Sequence, residues 1–336
     1  WATATWVRGN TYYLADGNYG GMIFNTPSSN VSEIIVKKAI SSDHVTDTGW
    51  SAGMGDGQAV ITDTVYLDLP YFTLDGQTGG GHTSWASGHG IKIAAPSAWL
   101  VRNGSDWGSV YTANKCNFVT ITHIEFDGGW TQGMTENCAF SLFMNNANSL
   151  TISYCYWHNL PSTAFESTGG VNDLMWEQNF VADGWGWDHG PGDSCHGQHI
   201  YMEYFSNCTF RNSKWARSEG WQTGVITCGG GAGLKVYGNV MYNGGVGNSS
   251  IGNWTHLKDW ITDAVIVNNT IVDMAASQSS GVVFLSGTDT RITIQDNLQV
   301  ACVLPGFAVT GNGVTTINNN LADEPTSRFV NYAAKD

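Results

Sequence analysis

The sequence predicts an all-β protein, a single right-handed parallel β-helix solenoid of roughly ten coils with a distinct N-terminal capping segment. Three observations predict it: short strand-like segments recur at a loose period, helix-forming stretches are scarce, and turn-forming residues are abundant. The chain of 336 residues contains 42 Gly and 15 Trp, and only 12% of its residues are charged. This composition favours short strands and tight turns over helices.

The repeat consists of a small polar or sulfur-containing residue followed by an apolar pair. Its anchors are Cys155, Asn179, Cys208, Asn239, Asn269, Asn297 and Asn320, separated by steps of 24, 29, 31, 30, 28 and 23 residues. Stacked coils place equivalent residues about 4.8 Å apart in ladders. An inward Asn in such a ladder satisfies buried amides from coil to coil. We expect the two cysteines to be buried thiols in the same ladder.

The N-terminal region differs from the repeats. Strand-like stretches lie within residues 9–19 and 33–39, and a polar, glycine-containing insertion covers 41–57. Because the end of a solenoid exposes strand edges and apolar interior, we expect residues 1–57 to form a capping segment and insertion. Residues 58–336 are then predicted to form the β-helix as one continuous domain, since a solenoid grows by adding coils.

Individual coils are marked by alternating apolar and polar residues. Residues 118–128 form a clean alternating strand that repeats the Leu-Asp-Gly type of ending found at residues 74–76. Later strands are predicted around residues 234–236, 264–267 and 292–294. Each of these segments reads as a half-buried strand.

The charge balance bears on possible partners. The chain has 14 basic and 28 acidic residues, a net charge of −14. Between Cys116 and Phe210 there are ten acidic residues and no Lys or Arg. This balance disfavours nucleic acid and strongly anionic polysaccharides as partners. No apolar run approaches the length of a membrane span, so none is expected.

The seven cysteines include no closely spaced pair of the kind that binds zinc or haem. The chain begins without Met and is rich in Trp and Asn. We therefore expect a mature secreted protein, located extracellularly or at the cell surface.

The Asn-containing strands over residues 116–321 and the N-terminal stretch 5–19 together resemble the right-handed parallel β-helix, or pectate-lyase-like, superfamily. The start of the chain is similar to that of secreted bacterial β-helix repeat proteins. The resemblance covers nearly the whole chain and implies the fold. It implies no single function, because the superfamily includes lyases, hydrolases, epimerases, tailspikes, adhesins and passive surface proteins.

The richest candidate site is a Gly-rich stretch over residues 183–199. Its candidate catalytic residues are Asp183, Asp188, His189, Asp193, His196 and His199. Carboxylates with His can bind a metal or act as acid and base. The segment 185–189 faintly resembles the Tyr-Gly-Phe-Asp-Pro-His signature of mannuronan epimerases, with Trp185 in place of Tyr and without the Pro. An ordered loop packed on the solenoid wall is the alternative.

Two shorter motifs offer weaker signals. Residues 87–93 contain a Gly-His-Gly-Ile piece that looks like polygalacturonase-type hydrolases, but the paired Asp and the Arg-Ile-Lys motifs of that family are missing. A turn entering a strand explains it as well. The cations Arg211, Lys214 and Arg217 are similar to those with which β-helix lyases abstract a proton, often with Ca²⁺. That resemblance makes Ca²⁺ a possible cofactor. The alternative is that these three cations lie on a solvated turn, which requires no cofactor.

Tryptophan is the last signal. There are too many Trp side chains for a narrow lumen, so some are expected on the outer surface. The candidate binding residues are Trp185, Trp187, Trp215 and Trp221. Exposed aromatic rings stack on sugars or anchor protein–protein interfaces.

Two classes of function follow from these patterns. No complete catalytic constellation is visible, so the sequence favours a structural protein that self-associates into a filament, sheath or surface layer through its aromatic faces and solenoid ends. The alternative is a carbohydrate-active enzyme (a polysaccharide lyase, glycoside hydrolase or epimerase) or a glycan-binding adhesin. A neutral glycan cleaved by two carboxylates would fit the acidic composition.

Overall fold

The computed structural model describes a parallel β-helix, which confirms the predicted fold class. The described residues are 5–28, 30–44, 46–95, 100–102, 116–129, 141–184, 198–217, 224–242, 253–273, 283–285, 288–302, 308–309 and 315–324. Helical structure among them is confined to α1 (Ser41–His44) and a 3₁₀ turn (Ala52–Met54). None of the described helices is long and apolar enough to span a membrane.

Each coil contributes one strand to each of three faces, and strands pair in parallel with the equivalent strands of neighbouring coils. Face 1 consists of β1 (Thr11–Leu14), β4 (Ile34–Lys38), β7 (Phe72–Asp75), β10 (Cys116–Thr122), β13 (Ala147–Ser153), β16 (Val171–Glu177), β19 (Thr209–Arg211), β22 (Lys235–Tyr237), β25 (Val265–Val267), β28 (Ile292–Gln295) and β31 (Thr315–Asn318). Parallel connections of this kind are right-handed in nearly all proteins.

Face 2 is an eleven-stranded sheet among the described residues. Its strands are β2 (Gly17–Tyr19), β5 (Ala59–Ile61), β8 (Ile91–Ala94), β11 (Ile124–Asp127), β14 (Tyr156–His158), β17 (Phe180–Val181), β20 (Lys214–Ala216), β23 (Val240–Tyr242), β26 (Thr270–Val272), β29 (Leu298–Val300) and β32 (Leu321–Glu324).

Face 3 joins face 1 in one continuous sheet, because its longest strands run around the corner between the two faces. Its strands are β3 (Met22–Phe24), β6 (Val65–Leu67), β9 (Val101–Arg102), β12 (Leu142–Phe143), β15 (Phe165–Ser167), β18 (Ile200–Ser206), β21 (Gly224–Ala232), β24 (Asn253–Thr262), β27 (Val283–Leu285) and β30 (Ala308–Val309).

Parallel pairing begins with β1 and β4, so the first coil starts at Thr11, within the segment for which a cap was predicted. The described residues before it pack against this coil, and the predicted cap over residues 1–57 stays a prediction. Trp6 is buried, and its ring lies 4.8 Å from that of Phe24. Arg8 donates hydrogen bonds to the carbonyl oxygens of Thr26 and Pro70, both at 2.6 Å. These contacts anchor the N-terminal residues on the first coil.

The interior holds a column of large aromatic rings. Phe126 stacks on Trp157 with 3.6 Å between ring centroids, and Trp176 lies 5.4 Å from Trp157. Trp215 continues the column at 5.8 Å from Trp176. Aromatic side chains bury a large apolar area, so this column accounts for much of the contact between the central coils.

An asparagine ladder runs along the bend between faces 1 and 2. The Nδ2 of Asn269 donates to the carbonyl oxygens of Val236 and Val267, both at 2.9 Å, and to Oδ1 of Asn297 at 2.9 Å. Its own Oδ1 accepts from the backbone N and the Nδ2 of Asn239, both at 3.0 Å. One amide side chain thus satisfies buried groups in three coils.

The ladder confirms Cys155 but corrects the position of Cys208. The backbone N of Cys155 donates to Oδ1 of Asn179 at 2.8 Å, which places the cysteine in the ladder. Ser213 fills the next position, since its backbone N donates to Oδ1 of Asn239 at 3.0 Å. Placing Cys208 in this slot was wrong: it precedes β19, at the other bend, between faces 3 and 1. The pattern of a small residue before an apolar pair occurs at both bends.

The described cysteines carry free thiols. They are Cys116, Cys155, Cys208, Cys228 and Cys302. Burial raises the pKa of Cys155 and Cys208 to about 12, so both are neutral thiols at neutral pH. The prediction that these two are buried thiols is confirmed.

Replacing Asn269 with Ala should destabilise the protein by about 3 kcal/mol or more. The substitution leaves donors in Asn239 and acceptors in the neighbouring coils without partners, and each such buried group costs about 1–3 kcal/mol. Urea unfolding measures the change. Asn172→Ala, which removes an exposed amide from face 1, is the control and should have little effect. Equal effects of the two substitutions would contradict the role of the ladder.

Candidate functional site

The outer surface of face 3 carries a cluster of ionisable side chains. Phe165 of β15 and Ile200 of β18 are paired and point into the core, so the adjacent pair, Glu166 and Tyr201, lies in the outward row. Glu203 follows two positions along β18. The two glutamates therefore project from neighbouring coils on a diagonal, with roughly 8 Å between their Cα atoms given the spacing of paired strands.

Lys258 of β24 completes this cluster from two coils away. The row that contains Glu203 continues through Gly229 to Lys258. A Cβ added to Gly229 would lie 2.8 Å from Cε of Lys258. The glycine therefore leaves the space through which the lysine side chain crosses its coil towards Glu203.

The contacts within the cluster are direct. Nζ of Lys258 lies 2.6 Å from the hydroxyl oxygen of Tyr201 and 3.1 Å from Oε1 of Glu203. The Tyr201 hydroxyl donates a hydrogen bond to the same Glu203 oxygen. The ammonium group also lies 4.6 Å from the centre of the Tyr201 ring. The Glu203 carboxylate is thus held in place by one cation and one hydroxyl.

The two glutamates lie in different surroundings, because Glu166 is buried whereas Glu203 is bonded to Lys258 and Tyr201. Glu166 is only 7% exposed, and desolvation, followed by repulsion from Glu203, raises the pKa of Glu166 to about 8. It is therefore a neutral acid at pH 7. Burial, with a smaller effect from the hydrogen bond to Glu203, raises the pKa of Tyr201 to about 12. Two carboxyl groups in such different environments form the arrangement that supports acid–base catalysis.

Burial by itself would lower the pKa of Lys258, but its contacts with Tyr201 and Glu203 outweigh this effect and raise the pKa. Lys258 is therefore a firmly protonated cation. It can neutralise negative charge on Glu203 but is not set up to accept a proton at neutral pH.

A second cluster of ionisable side chains lies on face 2. Nζ of Lys92 lies 2.9 Å from Glu125 and 2.6 Å from Asp127. His158 approaches Glu125 to 3.1 Å. Although burial alone would raise the pKa of Glu125, hydrogen bonds from His158, Gln58 and Lys92 lower it to about 2. The cluster links three coils through the Lys92 ion pairs and the contact between His158 and Glu125.

The face 2 cluster could be considered as a metal site, because ligand atoms of Glu125, Asp127 and His158 lie within 4.8 Å of one another. Lys92 already supplies a positive charge between the two carboxylates. Ca²⁺ also prefers six to eight oxygen ligands, and this set contains an imidazole. The donors therefore do not fit the Ca²⁺ that the sequence suggested as a possible cofactor.

Of the predicted 183–199 stretch, the structure describes only the two ends. Asp183 is buried at the end of face 2 and pairs with Arg217. Desolvation raises the pKa of Asp183 in spite of that arginine. Asp188, His189, Asp193 and His196 lie outside the described residues, as do the predicted binding residues Trp185, Trp187 and Trp221.

The structure corrects the roles predicted for His199 and Trp215. His199 is fully buried and its ring stacks on that of Trp215 with 6.1 Å between centroids. Burial lowers the pKa of His199 to about 3, so the ring is neutral and is not a surface acid or base. Trp215 cannot stack on a sugar because the alternation in β20 turns Lys214 outward and Trp215 into the core.

His89 of the Gly-His-Gly-Ile motif is buried at the entry to β8. One ring nitrogen lies 3.2 Å from the carbonyl oxygen of Tyr154. Burial lowers the pKa of His89 to about 4. The contact agrees with the interpretation of this motif as a turn that leads into a strand.

The predicted basic cluster is divided among separate partners. Nε of Arg211 donates to Glu177 at 2.7 Å. Lys214 lies over the ring of Phe180, 5.3 Å from its centre. Since Arg217 pairs with Asp183, these three cations do not converge on one point as a lyase centre would require.

Sequence reasoning missed the face 3 cluster, although a signal was present. The segment 200–203 alternates apolar and polar residues, which places Tyr201 and Glu203 on the outer surface of a strand. The run of three glycines at 229–231 inside a strand also indicates close approach by another group. What the sequence could not give is the register that brings Glu166 and Lys258 to the same place.

Comparisons with known proteins concern the fold. No family model and no curated protein matches the sequence. DFA-IIIase from Arthrobacter chlorophenolicus A6, solved without its lid in complex with GF2, has a TM-score of 0.48 and 12% identity over 75% of this chain and 64% of that chain.

Two other solved structures cover more of this chain. A mannuronic acid specific polysaccharide family 6 lyase from human gut microbiota has a TM-score of 0.43 and 12% identity over 93% of this chain and 78% of that chain. ORF18 of Geobacillus virus E2 has the same score and identity over 95% and 54%. All of these matches have low identity, and the parallel β-helix fold of this chain is established by its own strand pairing.

Substitution of Glu166 with Gln should stabilise the protein at alkaline pH. In the unfolded chain Glu166 ionises above the ordinary glutamate pKa of 4.5. In the folded state burial raises this pKa, and the carboxyl group keeps its proton until about pH 8. The ionisation of Glu166 therefore costs no stability below pH 4.5 and lowers the stability of the wild-type protein as the pH rises from 4.5 to 8. We expect Glu166→Gln to be more stable by about 2–4 kcal/mol at pH 8 and equally stable at pH 4.

Denaturant unfolding at both pH values measures this difference. Glu33→Gln, which changes a partly exposed glutamate far along the chain, is the control and should show no such pH dependence. A stability difference for Glu166→Gln that is the same at pH 4 and pH 8 would contradict the assignment of a buried, protonated acid.

Substitution of Glu125 with Gln should have the opposite pH dependence. In the folded state the pKa of Glu125 falls from its ordinary value of 4.5 to about 2, so the carboxylate stays ionised down to about pH 2. Its contribution to stability is present above pH 4.5 and is lost as the pH falls to 2. We expect a loss of about 2 kcal/mol at pH 7 that shrinks towards pH 2. Asp263→Asn, which removes an exposed ion pair, should change little. A loss that does not vary with pH would argue against the pairing.

Proposed function

We propose that the protein is a carbohydrate-active enzyme that uses the face 3 cluster for acid–base catalysis on a glycan. Glu166 acts as the proton donor and Glu203 as the base or nucleophile. The observation that carries the proposal is the pair of environments: Glu166 keeps its proton to about pH 8, and Glu203 accepts hydrogen bonds from Tyr201 and Lys258. A general acid near neutral pH is what cleavage of a glycosidic bond needs.

The chemistry follows from these assignments. Glu166 transfers its proton to the glycosidic oxygen as the bond to the anomeric carbon breaks. Glu203 either accepts a proton from an attacking water or attacks the anomeric carbon itself. Tyr201 and Lys258 orient the Glu203 carboxylate and stabilise its charge until it reacts.

A neutral glycan suits the charge of this region. The chain carries ten acidic residues and no Lys or Arg between Cys116 and Phe210, the range that supplies both glutamates. An anionic polysaccharide would be repelled by such a surface. The outward rows of face 3 run across several coils, so the site lies along a surface that a polymer can follow.

The interpretation that the sequence favoured, a structural subunit that self-associates, stays a prediction, as does a secreted, extracellular or cell-surface location. The burial of Glu166 beside Glu203, which the sequence alone did not reveal, supports the catalytic proposal over the structural one.

The protein should release reducing sugars from at least one member of a panel of neutral polysaccharides, and from none of the uronic acid polymers. Glu166→Gln and Glu203→Gln should each lower kcat by about 10²–10⁴-fold, because each removes a group that moves a proton or bonds to carbon. The rate should fall as the pH rises past about 8, when Glu166 loses its proton.

Glu33→Gln serves as the matched control and should retain full activity. A wild-type protein that acts on no neutral polysaccharide, or a Glu166→Gln variant with unchanged kcat, would refute the proposal.

A further inference from the structure

We propose that the cavity between Tyr204 and Trp260 is a sugar-binding subsite that holds one ring of a neutral glycan beside Glu203. The inference rests on the proposed function, because the subsite adjoins the same catalytic glutamate. Its lining residues are Glu203, Tyr204, Gly229, Gly230, Asp259 and Trp260, and its volume is about 350 Å³.

The cavity is produced by the register of three consecutive coils. In β18, β21 and β24 a residue with a left-handed backbone interrupts each strand: Tyr204 at φ 56°, Gly230 at φ 59° and Asp259 at φ 68°. Gly229 pairs with Lys258 and Gly231 with Ile261, so Gly230 faces two residues of the next coil. Such a bulge redirects side chains, and here it turns Trp260 out of the regular alternation.

Both aromatic side chains are exposed in this cavity. Tyr204 is 61% exposed and Trp260 is 52% exposed. Their positions are separated by the coil that carries Gly230, which places roughly two coil spacings of about 4.8 Å between them. Glycine leaves the intervening coil without a side chain, and the Trp260 indole occupies part of the space over Gly230.

The two glycines also allow the Trp260 indole and the Asp259 carboxylate to approach the backbone of β21. A Cβ at Gly230 would be 3.2 Å from Cε2 of Trp260, and a Cβ at Gly229 would be 3.0 Å from Oδ2 of Asp259. The Trp260 ring therefore lies against the Gly230 backbone and closes one side of the cavity. A larger residue at either position would press on Asp259 or on the indole.

The chemistry of the lining fits a neutral sugar ring. Aromatic rings such as those of Tyr204 and Trp260 stack on the C–H faces of sugars. The carboxylates of Glu203 and Asp259 are hydrogen-bond acceptors for hydroxyl groups. Two carboxylates in one cavity repel a uronate. The volume of the cavity, about 350 Å³, is at the small end of the usual range for ligand sites.

The subsite also has a position that matters for the reaction. Glu203 belongs both to the catalytic cluster and to the lining of the cavity. A sugar held between Tyr204 and Trp260 therefore lies next to the base of the proposed reaction. We assign these two aromatic residues to substrate positioning and specificity.

Binding should be measured without turnover, in the Glu166→Gln background. The probes are gluco-, xylo-, manno- and fructo-oligosaccharides of two to six units, and oligouronates of the same length, titrated by calorimetry. We expect at least one neutral series to bind and the oligouronates not to bind. Adding Trp260→Ala or Tyr204→Ala should weaken the binding at least tenfold.

The matched control is Phe118→Ala. Phe118 is 48% exposed and also has a left-handed backbone, but it does not line the cavity. Its removal should leave the affinity unchanged. Thermal unfolding checks that each variant folds, and because the Tyr204 and Trp260 side chains are exposed, their removal should shift Tm little.

The outcomes separate the two proposals. Unchanged affinity in Trp260→Ala and Tyr204→Ala overturns the subsite, even if Glu166→Gln abolishes turnover. Weaker binding in these variants upholds the subsite, even if Glu166 proves dispensable for activity. Oligouronates that bind as tightly as the neutral series, or no binding by any probe, overturn the assignment of a neutral sugar. So does a loss of self-association in Trp260→Ala with unchanged sugar affinity, which would make this surface an interface between copies of the chain.

Discussion

Parallel hydrogen bonding between successive coils is the constraint on which the rest of this structure depends. Each strand pairs with the strand one coil away, so a residue is repeated in space by its equivalents in neighbouring coils. The bends between faces would leave buried amides unpaired, and the Asn239–Asn269–Asn297 ladder satisfies them. Once this ladder fixes the register, the outward rows are fixed as well, and distant residues such as Glu203 and Lys258 come into contact.

The two polar clusters use the same scaffold differently. On face 2, Lys92 pairs with Glu125 and His158 contacts the same carboxylate across adjacent coils, an arrangement that favours stability. On face 3, Glu166 is buried close to a second carboxylate, an arrangement that costs stability at neutral pH. Proteins commonly lose stability at sites where they hold a reactive group. For this physical reason we propose that catalysis takes place on face 3.

The fold was more accessible from the sequence than the site. The Asn repeat and the alternating strands predicted the β-helix, because ladder positions restrict which residue types can be buried. The same pattern misplaced Cys208, since both bends accept a small residue before an apolar pair. Trp215 was predicted on the outer surface but is buried for a related reason. Whether a residue of β20 points into the core or outward depends on the register of the strand, which the local sequence does not specify.

The sequence by itself determined the fold class, the ladder and the acidic character of the region around Glu166 and Glu203, because these depend on composition and period. Tertiary structure alone decided the site. The proton on Glu166 depends on burial by neighbouring coils, and the reach of Lys258 depends on Gly229 standing opposite it. The position of Trp260 depends on a bulge against Gly230. Each is a relation between coils roughly thirty residues apart, and a linear sequence does not express it.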